Sequence, residues 1–247
     1  MSNHLSMRSG NPALQASTFK KHLTSSVESK MTLSGTVNKT GISLLLVIIS
    51  AGYTWGNPSM HIMMIPAGIV GFILALATVF KPTIGHITVP AYAVAQGILL
   101  GVISMYFNAM YPGIVVQAVF LTFGTLGALL LAYKSGLIAA TENFKLGIFS
   151  ATFGILIIYV LNLILSLFGV SFMGPLFGNG LTGILFSLFV IGIASLNLVL
   201  DFDFIENGAE QGAPKYMEWY AAFGLMITLI WLYIEILNLL MKLRSRR

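Results

Sequence analysis

Beyond Lys39 the chain resolves into seven apolar runs, at about residues 40–55, 61–80, 88–109, 112–133, 146–169, 180–200 and 219–241. Each is close to the ~20 residues that a helix needs to cross a ~30 Å hydrocarbon layer, and this repetition limits the possible folds more than any other feature. In lipid every backbone N–H and C=O must be satisfied within the protein, which leaves helices or closed barrels. The runs lack the two-residue alternation of barrel strands, so they read as helices. Turn-forming or polar clusters separate them: "WGNPSMH", "KPTIGH", "YPG", "KSGLIAATENFK", "GNG" and the longer "DFDFIENGAEQGAPKYMEW". Connections this short make successive helices antiparallel neighbours. The expected fold is an all-α polytopic membrane protein: a flexible basic tail over 1–38, one seven-helix transmembrane domain over 39–243, and a basic end at 244–247.

Composition agrees. Charged residues make up 9% of the 247, against the quarter or so usual in a soluble domain, and the mean hydropathy is +0.89. The net charge of +5 is spread over the tails and turns without a concentrated basic face, which argues against a nucleic-acid partner and leaves the lipid bilayer as the expected one. There is no cysteine, so disulfides, thiol catalysis and Cys-ligated metal sites are excluded. His4, His22, His61 and His86 form no i, i+4 pair, and no resident cofactor is expected. The tail has no apolar core of signal-peptide type, although "PALQASTFKKHL" could form a short surface helix.

Lysines and arginines set the expected orientation. With the N-terminus in the cytoplasm, the inner side collects Arg8, Lys20, Lys21, Lys30, Lys39, Lys81, Lys134, Lys145 and Lys215, and the first three outer turns carry none. Seven crossings then leave Lys242, Arg244, Arg246 and Arg247 outside; a re-entrant last segment is the alternative. Gly97 and Gly101 in "GILLG", with Gly68/Gly71 and Gly124/Gly127, read as close-packing faces. Trp219, Tyr220, His61 and His86 read as interfacial residues.

Of eight acidic residues, six (Asp201, Asp203, Glu206, Glu210, Glu218 and Glu235) lie at or after the end of the sixth run. Glu235 alone is well inside an apolar run, less than two helical turns from its middle. A carboxylate there costs at least ~2.5 kcal/mol, so it has to be paired, hydrated or protonated. Asn238 and Lys242 share its helix face, at i+3 and i+7. Against a functional ion or proton site stands the plainer reading that Glu235 snorkels to the interface or holds a helix contact. Asp201 ends the sixth run, with Asn197 one turn before it. Asp203 and Glu206 point the other way and read as a solvated helix end. Lys81, closing the second run, is a possible counter-charge, and equally a topology anchor. The candidate ion or proton site is therefore Asp201, Glu235, Asn197 and Asn238, with Asp203 and Glu206 as secondary acids.

Three patterns, in order, resemble the Bax-inhibitor family in its bacterial YccA-like branch: "GIVVQAVFLTFGTLGALLLAYKSG" (113–136), "LVLDFDFIE" (198–206) and "EILNLL" within "LYIEILNLL" (232–240). The resemblance covers about residues 30–243. It implies a seven-helix bundle in the bacterial inner membrane with a central C-terminal helix. It also implies a pair of carboxylates, here Asp201 and Glu235, latching a pH-dependent calcium leak through which Ca²⁺ passes transiently. Two departures stand out. The last-helix acid is Glu rather than Asp, and Asp201 lies 34 residues before it. Simple spans would separate the two by about 20 Å in depth.

Two functions follow as expectations. One is a pH-sensitive Ca²⁺ leak gated by intramembrane carboxylates. The other is a non-conducting regulator that binds a membrane-anchored protease or another stress-response membrane protein, with the tail as the contact. Enzymatic activity is not expected: there is no GxGD, no HExxH, and no intramembrane GxS with a partnering His.

Overall fold

The computed structural model describes residues 30–169 and 174–246. Seven helices in it are long and apolar enough to cross a membrane: α1 (Leu33–Trp55), α2 (Met64–Phe80, led in by a 3₁₀ turn at Pro58–Met63), α3 (Gly85–Met110), α4 (Ile114–Lys134), α5 (Glu142–Leu167), α6 (Leu181–Glu210) and α7 (Met217–Arg244). A single helical turn, Gly174–Phe177, precedes α6. The protein is thus an all-α, multi-pass membrane protein. The seven expected runs are the seven helices, and α7 is unbroken for 28 residues, about 42 Å of rise, with no re-entrant break.

Helix ends explain where the boundaries move. Thr32 caps α1, its hydroxyl accepting the Gly35 N–H at 3.0 Å, so the helix starts seven residues before the apolar run. Thr141 caps α5 in the same way through Phe144 N–H. α6 runs ten residues past its apolar run to Glu210, and a left-handed Gly212 (φ +67°) follows its end. Asp201 therefore sits inside a helix rather than at its end. The tail, including the "PALQASTFKKHL" segment, lies outside the described residues up to Lys30.

The chain divides into two compact units, and α6 and α7 contribute to both. One comprises, of the described residues, 30–112 and 203–227. Within it α3 packs on α1 and α2. A Cβ at Gly97 would collide with Ser50 Oγ and the Val47 carbonyl of α1, and one at Gly101 would lie 2.6 Å from the Ala51 carbonyl. The GxxxG face is therefore a true close approach of backbones. Gly71 meets Gln96 of α3, whereas Gly68 faces open space. Thr78 of α2 donates to Thr88 of α3 at 2.7 Å. Tyr92 of α3 lies edge-on to Phe223 of α7, with ring centres 5.0 Å apart. Tyr220 is buried beside the same ring, so it is a core residue and not the interfacial anchor its position suggested. Just before α1, Lys30 forms a β-bridge with Pro214, and Met31 N–H donates to the Ala213 carbonyl at 2.7 Å.

The second unit comprises, of the described residues, 113–169, 174–202 and 228–246. It holds α4, α5, most of α6 and the C-terminal part of α7. Asn197 of α6 donates to Thr152 of α5 at 2.8 Å, and Tyr133 of α4 packs against Phe202 of α6. Gly124 and Gly127 have nothing within 4 Å, so this pair is an open surface and not a packed seam.

Candidate functional site

Glu235 is on α7, with 6% of its surface exposed. Its carboxylate accepts a 2.6 Å hydrogen bond from the Tyr159 hydroxyl of α5. Tyr159 is held by two rings, Phe177 at 5.4 Å and Phe186 at 6.4 Å between centres, which fix the phenol against the acid. The carboxylate is thus turned inward and bonded rather than snorkelling to the aqueous boundary. Lys242, two turns further along, is also buried, and it acts on Glu235 electrostatically without forming a contact ion pair. Its ammonium instead donates to the Gly183 carbonyl at 3.1 Å and the Ser187 hydroxyl at 2.9 Å, both on α6.

Those two bonds tie the end of α7 to the first turns of α6. Asn197 of α6 bonds Thr152 and Glu235 of α7 bonds Tyr159, and those two α5 residues are seven apart, about 10 Å of helical rise. Asp201 is fully buried; Glu235 bonds Tyr159 and not Asp201. Asn197, one turn before Asp201, spends its amide donors on Thr152 and the Ile193 carbonyl. Its Oδ1 is a buried acceptor with no hydrogen-bond partner among the described residues. Asn238 is half-buried on the Glu235 stripe, Asp203 is half-buried, and Glu206 is exposed. Lys81 is exposed where it ends α2. Among the described residues no three His, Asp or Glu side chains converge as a metal site would require.

Sequence reasoning did not single out Tyr159, Ser187 or Glu218. Glu218, in the first turn of α7, has no exposed surface. It accepts from Thr32 N–H at 2.9 Å and Thr32 Oγ1 at 3.0 Å, and forms an ion pair with Lys39 of α1. The Lys39 ammonium also lies 5.6 Å from the centre of the Trp219 ring. Gly35 leaves the room for this carboxylate; a Cβ there would overlap it. Lys39, expected to mark the cytoplasmic end of the first span, is two turns inside α1 and serves as this partner. The one local signal was Thr32 before an apolar run, a helix cap.

A model of the family described as "Bax inhibitor 1 like" matches residues 11–245, nearly the whole chain. No curated protein matches it. The chain belongs to the Bax inhibitor 1 like family.

Proposed function

From that membership we propose that the protein is a pH-sensitive ion leak in the bacterial inner membrane, with its N-terminus in the cytoplasm, Ca²⁺ as the cargo and Glu235 as the titrating gate. The observation that carries the reading is a carboxylate inside a membrane-length helix, bonded to a phenol on a neighbouring helix. A proton on Glu235 removes its charge, weakens it as the acceptor of the Tyr159 bond and adds a donor, so α5 and α7 would respond to the same event. Asp201 and Asn197 would be a second polar station, since the Asn197 contact on α5 lies about 10 Å of rise from that of Glu235, giving a cation two oxygen-rich points along the bundle. No catalytic step is assigned to any residue.

The alternative is a non-conducting regulator that binds a membrane-anchored protease. What favours it is the fastening of Lys30, Met31 and Thr32 to the start of α7, which gives the preceding tail a fixed point of departure. Ca²⁺ and proton flux in liposomes across a pH series would test both, using the parent, Glu235→Gln, Asp201→Asn and a chain lacking residues 1–29. A leak whose pH response is lost in Glu235→Gln supports the first reading. An identical pH profile in the parent and both substituted proteins refutes the gate. Absence of any flux, with protease binding lost on tail removal, establishes the regulator.

A further inference from the structure

A lysine in the last two turns of a membrane helix ordinarily extends its stem and places its ammonium in the interface. Lys242 does the reverse. It is 6% exposed, and its ammonium turns into the bundle toward a backbone carbonyl and a hydroxyl of α6, Gly183 O and Ser187 Oγ. Burying an ammonium is costly unless its donors are met, and here two of its three N–H groups are met by neutral oxygens. The negative charge acting on it is Glu235, two turns back on the same helix and beyond ion-pair distance. The C-terminal end of α7 adds its own negative partial charge. Neutral oxygen donors, a nearby but uncontacted carboxylate and a helix C-terminus are the surroundings in which a partly dehydrated cation is stable.

We infer that Gly183 O and Ser187 Oγ, in the field of Glu235, form a seat for a small monovalent cation, and that the Lys242 ammonium is its tethered occupant. Attachment to α7 gives the ammonium an effective concentration that free ions do not match, so the intact protein is indifferent to which salt is present. Gly183 is required for the seat's shape, because the Gly178 carbonyl lies against it where a Cβ would stand. Removing the amine vacates the seat, and a free potassium ion or a short alkylammonium then binds to the folded state and stabilises it. The inference rests on the oxygen cradle and holds whether or not the protein conducts.

The test is thermal unfolding of the purified full chain in detergent, for the parent, Lys242→Ala, Lys242→Met and Lys242→Ala/Ser187→Ala. Each is measured in potassium, ethylammonium and N-methylglucamine chlorides at equal ionic strength. The expected result is a rise in the Tm of Lys242→Ala with potassium or ethylammonium over N-methylglucamine. Neither the parent nor Lys242→Met, whose apolar stem fills the space, should show it. Adding Ser187→Ala should weaken the apparent affinity at least tenfold. No cation-specific rise in Lys242→Ala, or an equal rise in the parent, overturns the inference. Amine-reactive labelling read by mass spectrometry supplies a check that needs no folded Lys242 variant. Lys242 should label far more slowly than Lys81 in the parent and faster once Ser187→Ala removes one oxygen; labelling as fast as Lys81 in the parent also overturns it.

Discussion

Replacing Glu218 with Gln keeps the shape of the side chain and one oxygen for Thr32, but it sets an amide N–H₂ or a neutral oxygen against the Lys39 ammonium. Glu218 has no exposed surface and Lys39 has a side chain 17% exposed, so the ammonium left behind has little water to turn to. Breaking a buried pair by removing one partner costs about 3–5 kcal/mol, mostly through the stranded charge. Glu218→Ala should cost more still, because it also frees the Thr32 N–H and hydroxyl that the carboxylate accepts. Lys39→Met removes the stranded charge from the other side, and in combination with Glu218→Gln it should recover part of the loss. A double-mutant cycle on unfolding in mixed micelles should therefore give a coupling of at least about 1.5 kcal/mol, within the range of groups in one network. Additivity within about 0.5 kcal/mol would refute the assignment of Glu218 and Lys39 to a single buried node.

Tyr159→Phe should destabilise by about 1.5–3 kcal/mol, the usual range for a hydrogen bond to a charged group, while retaining the ring contacts with Phe177 and Phe186; equilibrium unfolding checks it. The same substitution should alter the pH midpoint of any flux, whereas Lys81→Gln should leave it unchanged, since Lys81 is an exposed helix end. Gly101→Val should cost at least about 1–3 kcal/mol by forcing α1 away from α3, and Gly124→Ala, with nothing within 4 Å, should be neutral or slightly stabilising in the same unfolding assay.

The spans were legible because bilayer thickness imposes a length on apolar runs that chance does not supply seven times in one chain. Their ends were less so. Lys39, Asp201, Asp203 and Glu206 interrupt hydropathy, yet each falls within a helix whose backbone bonds continue regardless of the side chain. A charged residue ends an apolar run without ending the helix that carries it. Glu235 was legible as a site because its cost in lipid is local and calculable, and the i+7 position of Lys242 followed from helical spacing. The partners were not legible. Tyr159 is 76 residues from Glu235, and Lys39 is 179 from Glu218; nothing in the local pattern of either distinguishes it from neighbouring tyrosines and lysines. The family resemblance pairs Asp201 with Glu235, whereas Asn197, one turn before Asp201, bonds Thr152 and Glu235 bonds Tyr159, seven residues apart on α5.

Infrared difference spectroscopy of the protein in lipid, titrated across pH, measures the protonation of membrane carboxyls directly. If Glu235 is the titrating gate, the parent will show a pH-dependent carboxylic acid band that is absent from Glu235→Gln and displaced in Tyr159→Phe, where the phenol bond is missing. A band that persists unchanged in Glu235→Gln would contradict that assignment.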